Sequence, residues 1–222
     1  MKQKFILALD VESLSRAQFF LQRLSPEVAF YKIGPVLFTA YGPRIVELVR
    51  KKGAQVFLDL KFHDIPNTVA GAVRQAVRLR VAMLTLHTVG GKEMLQVAAQ
   101  AAAEEAKKNR IKKPLLLGVT VLTSDKAVKD TRATVVARAR LARQAGLDGV
   151  VCSVHEAAAV RKACGRKFII VTPGIRPAGA EAGDQKRVAT AKTAFAAGAN
   201  YIVVGRPILE AENPLRALKE IV

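Results

Sequence analysis

The sequence predicts a closed (β/α)₈ barrel, an α/β fold, and three observations carry that prediction. Short β-branched runs alternate with longer stretches of helical spacing, eight times over, along the 222 residues. Several of the strand candidates, notably Ile169-Ile170-Val171 and Ile202-Val203-Val204, are apolar throughout, as parallel strands covered by helices must be. Polar residues gather at the strands' C-terminal ends, where a barrel places its chemistry: Asp10, Lys32, Asp59 with Lys61, His87, Thr123, Ser153 and Arg206. A doubly wound sheet is the competing architecture, but no Gly-x-Gly-x-x-Gly follows the first strand.

The strands are expected, in order, at Phe5–Asp10, Ala29–Gly34, Gln55–Leu60, Met83–His87, Leu115–Val121, Gly149–Ser153, Phe168–Thr172 and Tyr201–Gly205. Between them, Leu14–Leu24 repeats apolar residues three and four apart through Leu14, Ala17, Phe20, Leu21 and Leu24. Val69–Leu79, Glu93–Ala106 and Thr134–Ala145 have the same spacing. Gly53, Gly146 and Gly198 each follow a helix-like run and precede a strand, where a helix ends on a left-handed residue. No Pro/Gly/Ser linker interrupts the pattern, so residues 1–222 are read as one barrel domain.

Composition narrows the function classes. Two cysteines, Cys152 and Cys164, with no Cys-x-x-Cys exclude a disulfide scaffold and point to a reducing, cytoplasmic setting. The apolar run after the N-terminus is too short to span a membrane, and no signal-peptide cleavage region follows it. The net charge is +18. That would suit a polyanion, but the basic residues recur on helix-like stretches (Lys107, Lys108, Arg110, Lys112, Lys113, then Arg132, Arg138, Arg140, Arg143) and read as solvated faces. With three Tyr and no Trp to stack on bases, nucleic-acid binding is not the expected role. A positive field that speeds capture of a small anionic substrate is.

The informative segment is Asp59-Leu60-Lys61-Phe62-His63-Asp64-Ile65-Pro66-Asn67-Thr68. Asp59 and Lys61 stand two apart, so on a strand they share a side, with Leu58 and Leu60 on the other. Asp64 follows where the strand gives way to a loop, and Pro66 is expected to hold that loop open before a helix starts. An ion pair capping a strand end is the plain alternative for this spacing. Lys32, also at a strand end, shifts the reading toward catalysis.

In this stretch and in five others, taken in chain order, the sequence resembles the orotidine 5′-phosphate decarboxylases. The others are Ala8-Leu9-Asp10, Tyr31-Lys32-Ile33-Gly34, Val119-Thr120-Val121-Leu122-Thr123-Ser124, Pro173-Gly174-Ile175-Arg176 with Gln185, and Val204-Gly205-Arg206-Pro207. The resemblance implies conversion of orotidine 5′-monophosphate to UMP, the last step of de novo pyrimidine synthesis, by a homodimer with shared sites. It also implies a charged network of Lys32, Asp59, Lys61 and Asp64, with Asp64 and Thr68 reaching the partner's site. Neither metal nor cofactor is implied, so a fixed cation must meet the charge that develops at C6. Lys61 fits that role and can then protonate C6, with the two aspartates holding it charged and aimed. Lys32 would balance those carboxylates and touch the ribose, beside Asp10.

Arg206, the backbone at Gly205 and a following helix headed by Pro207 would take the phosphate. The segment from Pro173 to Gln185 would act as a lid carrying Arg176 and Gln185 to the ligand, with Pro177–Gly183 small and flexible. Thr123 and Ser124 are both candidates on the pyrimidine side. His63 and His155 are read as structural, His87 as a possible site-lining residue, and the cysteines as buried small hydrophobes. The rival on the same barrel is a Mg²⁺-dependent sugar-phosphate decarboxylase or synthase, which needs acidic ligands at neighbouring strand ends. Here the fourth strand ends in His87.

Overall fold

The computed structural model describes residues 4–25, 27–122, 130–177 and 189–221. Eight parallel strands close a barrel in sequential order: β1 (Phe5–Ala8), β2 (Phe30–Ile33), β3 (Gln55–Phe62), β4 (Met83–His87), β5 (Leu115–Val119), β6 (Gly149–Val151), β7 (Ile169–Thr172) and β8 (Tyr201–Val204). The ring shuts where β8 pairs with β1, with Ile6 opposite Val203.

The helices of the described residues are α1 (Leu14–Leu24), α2 (Pro35–Tyr41), α3 (Pro43–Lys51), α4 (Pro66–Arg78), α5 (Gly91–Lys108), α6 (Thr131–Gln144), α7 (Val154–Cys164), α8 (Ala191–Ala196), α9 (Arg206–Leu209) and α10 (Pro214–Ile221).

The strands are apolar on both faces because both are covered. Ile6, Ala8, Phe30, Phe57, Met83, Leu117, Val171 and Val203 fill the barrel's interior. Alternate residues such as Leu7, Tyr31, Leu58, Leu84, Ile170 and Ile202 pack outward against the helices. Glycine closes three helix–strand connections as expected, with φ of +75° at Gly53, +88° at Gly146 and +101° at Gly198.

Local chemistry explains where elements depart from the sequence reading. Helix α4 begins at Pro66, three residues before Val69, so Pro66 opens the helix rather than delaying it. At the first helical position its missing N–H has no partner to lose. Helix α6 likewise begins early, at Thr131, because the Asp130 carboxylate accepts from the Ala133 N–H and caps it. Between β2 and β3 the chain makes two helices, broken at Gly42 and restarted by Pro43.

Among the basic residues, Lys107, Lys108, Arg110, Lys112, Arg132, Arg140 and Arg143 are exposed, as a solvated face requires. Three are not merely solvated. Lys113 pairs with Asp148 at 2.6 Å, Arg138 reaches inward to donate to the Thr120 carbonyl, and Arg143 donates to the Cys164 carbonyl at 3.1 Å. Position along a helix-like run does not reveal which cation turns inward.

Candidate active site

The C-terminal ends of the strands surround a cavity of about 580 Å³. Asp10, Lys32, Asp59 and Lys61 line it, with Arg176, Gly205 and Arg206 and the apolar Val119, Val121, Leu122 and Val151. Seven of the candidate site residues read from sequence therefore meet in one chamber, although they come from five strand ends.

Charge alternates along one side. Lys32 Nζ lies 2.8 Å from Asp10 Oδ1 and 3.5 Å from Asp59 Oδ2, and Lys61 Nζ lies 3.0 Å from that same Asp59 oxygen. Within one chain the network thus runs Asp10–Lys32–Asp59–Lys61. Asp10, assigned from sequence only to the ribose, is also its outer member.

Burial by itself would lower the Lys32 pKa, but the Asp59 and Asp10 carboxylates outweigh it and hold the ammonium above its ordinary range. Burial would likewise raise Asp59. Lys32 and Lys61, with hydrogen bonds from Lys61 and Thr85, overcome it and keep the carboxyl below its ordinary value of 3.8.

A depressed carboxyl pKa has a direct consequence for stability. The contribution of Asp59 is present above the unfolded carboxyl range and is lost as pH falls through the lower, folded value. Melting curves should therefore show wild type more stable than Asp59→Asn near neutrality. That margin should shrink only below about pH 4, where carboxyls take up protons.

The backbone at Lys61 is not regular strand. Its φ is +50°, and the β3–β4 pairing shifts register between Leu58 and Phe62. Asp59 and Lys61 share a side as the spacing predicts, but a bulge rather than an ideal pleat aims the ammonium. The Lys61 N–H donates to Thr85 Oγ1 at 2.9 Å, and that hydroxyl donates to Asp59 Oδ1 at 3.0 Å. Thr85, on β4, is fully buried. It was missed from sequence, where the only signal is a hydroxyl inside the apolar run Met83-Leu84-Thr85-Leu86.

Asp64 and Thr68 do not join this chamber. Both are exposed, Asp64 Oδ1 accepts from the Ile65 N–H at 2.7 Å, and neither residue lines the cavity of its own chain. His87 does not line it either. Its Nδ1 accepts from the Val89 N–H, and its ring lies 5.8 Å from that of His63. Burial first, then electrostatic repulsion from His63, Arg138 and Lys61, lower its pKa.

Gly205 precedes α9, of which Arg206 is the first residue and Pro207 the second. A Cβ at Gly205 would stand 3.5 Å from that of Ala8 and 3.9 Å from Asp10 Oδ2, inside the chamber. Arg176 is held where its N–H donates to the Ala189 carbonyl, across the bridge between Ile175 and Ala189. Thr123, Ser124, Gln185 and the run from Ala178 to Gly183, which carry the pyrimidine-side and most of the lid assignments, lie outside the described residues.

With this geometry in place, comparison with known proteins identifies the lineage. The model of the orotidine 5′-phosphate decarboxylase / HUMPS family matches residues 3–221. The chain belongs to that family. The orotidine 5′-phosphate decarboxylase of Moorella thermoacetica is 50% identical over 229 residues, covering 99% of this chain and 91% of the relative. That of Syntrophotalea carbinolica is 47% identical over 232 residues, covering 100% and 94%. The crystal structure of orotidine 5′-phosphate decarboxylase from Lactobacillus acidophilus superposes with a TM-score of 0.84 at 33% identity, covering 98% of this chain and 96% of that one. Family membership accounts for the ordered motifs at six strand ends, and the geometry shows what they assemble.

Proposed function

We propose that this enzyme converts orotidine 5′-monophosphate to UMP and CO₂, with no metal or cofactor. The observation that carries the reading is the Asp10–Lys32–Asp59–Lys61 chain on one side of a cavity whose other lining includes Arg176, Gly205 and Arg206. The same chamber thus offers cations both to a phosphate and to a reacting carbon. Identity of about half with named decarboxylases over nearly the full chain supports it.

In this reading the phosphate sits against Arg206, the Gly205 backbone and Arg176, and the pyrimidine lies over the Lys61 ammonium. The C6–carboxylate bond breaks, CO₂ leaves, and its electron pair stays in an sp² orbital on C6. Lys61, already charged and aimed by Asp59, stabilises that pair and then transfers its proton to C6. Solvent returns a proton to Lys61 after UMP departs. Asp59, beside the substrate carboxylate, also raises the energy of the bound ground state. Binding energy from the remote phosphate holds the ring in register with the ammonium.

The competing magnesium chemistry would need Asp59 as a ligand, yet both its oxygens are engaged, by two lysines and by Thr85. Purified protein in EDTA should therefore release UMP at the same rate as without chelator. A protein silent on orotidine monophosphate, or one that Mg²⁺ switches on toward a sugar phosphate, would overturn the reading.

The reading extends to a homodimer with shared sites. Asp64 and Thr68 are exposed and outside their own cavity, and Val36, Ile65, Val89 and Leu122, in the loops and helix start after β2 to β5, are exposed apolar side chains. A second copy placed there would cover them and bring its Asp64 and Thr68 to the chamber.

Complementation measures this directly. Lys61→Ala and Asp64→Ala chains should each be nearly inactive. After mixing and subunit exchange, half the dimers are mixed and each holds one intact site, restoring about a quarter of wild-type activity. No recovery in dimers shown to exchange would refute site sharing. The cytoplasm is the inferred location. No helix of the described residues is long and apolar enough to cross a membrane, and Cys152 and Cys164 are buried and not joined in a disulfide.

A further inference from the structure

We propose that Thr85 is the positioning residue for Lys61, acting through a closed ring of hydrogen bonds; the inference rests on the decarboxylase reading above. An amide can only donate, so the bond from Lys61 N–H makes Thr85 Oγ1 the acceptor there, and the hydroxyl's single hydrogen must go to Asp59 Oδ1. The other Asp59 oxygen receives the Lys61 ammonium at 3.0 Å. The ring therefore runs from the Lys61 main chain through Thr85 and Asp59 back to the Lys61 side chain. Both ends of the lysine are tied, at a backbone position with φ +50° and next to a register shift in which the β3–β4 ladder offers no regular partner.

Thr85 is fully buried, so water cannot readily replace its hydroxyl. Removing that hydroxyl leaves the Lys61 N–H and one Asp59 oxygen without their partner, inside the barrel. The ammonium would stay charged but lose its fixed placement, and placement is what a developing carbanion rewards. The ring includes neither Gly205 nor Arg206, so the phosphate contacts proposed there would be untouched. The defect should thus appear in kcat and not in binding.

The test compares Thr85→Val, which keeps the shape and loses the hydroxyl, with Thr85→Ser, which does the reverse. Thr85→Val should lower kcat by roughly 10- to 100-fold while KM and the affinity for UMP stay within about threefold of wild type. Thr85→Ser should recover kcat to within about threefold. If Thr85→Val does not fold, Thr85→Cys takes its place, since a thiol packs similarly but bonds weakly. Wild-type kcat in the hydroxyl-free variant, or an equal loss in the Ser variant, overturns the proposal. So does a loss confined to KM. A wild type that turns over while its hydroxyl-free variant matches it sinks this inference alone, whereas a silent wild type sinks the decarboxylase reading with it.

Discussion

Lys61→Ala should abolish measurable turnover while leaving the nucleotide-binding chamber intact. The side chain serves twice, as the cation that meets the C6 electron pair and as the acid that protonates it. Loss of a preorganised charge costs about 10²- to 10³-fold and loss of a positioned acid about 10²- to 10⁴-fold. A kcat drop of about 10⁵-fold follows, equivalent to about 7 kcal/mol of transition-state stabilisation.

UMP affinity should change far less, because the phosphate contacts proposed at Arg176, Gly205 and Arg206 do not include Lys61. Lys61→Arg should not restore the rate, since a guanidinium keeps the charge but does not release a proton and has a different shape. The check is steady-state kinetics beside UMP titration on the same preparations. A Lys61→Ala enzyme retaining even a hundredth of wild-type kcat would rule out the double role.

Arg161→Ala should have the largest effect on stability without touching the chemistry. From α7 its guanidinium donates to the carbonyls of Gly165, Arg166, Phe168 and Gly198 and to Asn200 Oδ1, at 2.6 to 3.1 Å. Asn200 Oδ1 also accepts from the Ile170 N–H, so one side chain ties the end of α7 to the entrances of β7 and β8. Gly198 makes room for it. A Cβ there would stand 3.3 Å from the Arg161 side chain, and the φ of +101° already excludes most other residues.

Truncation strands several acceptors at once. Their losses do not add fully, so a destabilisation of about 3 kcal/mol is expected. For a chain of this length that lowers Tm by roughly 6–12 °C. Arg161→Lys should recover little of it, because one ammonium cannot span the acceptors a planar fork reaches. Thermal melts settle the magnitude, and kcat near wild type at 25 °C would separate stability from function.

Much of the architecture was legible along the chain. The expected strand positions all proved correct to within two residues, because buried parallel strands are apolar runs that nothing else in the sequence imitates. Helix starts were read less well: Pro66 and Asp130 set them by capping chemistry, which leaves no periodic trace. Ahead of Gly53 the sequence showed a helix-like run but not its division into α2 and α3, because the break at Gly42 and the restart at Pro43 are local turn and capping features with no periodic trace.

Among the site residues, Lys32, Asp59, Lys61, Arg176, Gly205 and Arg206 were identifiable as strand-end or loop residues. The barrel brings them to one chamber because all strand ends of a parallel barrel open on the same face.

By itself, then, the sequence determined the barrel, the face that carries chemistry and the residue types available there. Those are properties of periodicity and of direction along a strand, and both are local. Tertiary structure alone decided that Asp10 belongs to the charged network, that Arg138 and Lys113 turn toward partners, and that Thr85 ties Lys61 to Asp59. Each of these depends on the register between neighbouring strands or on which face of a helix meets the barrel. Register is a relation between segments tens of residues apart, so no single segment records it.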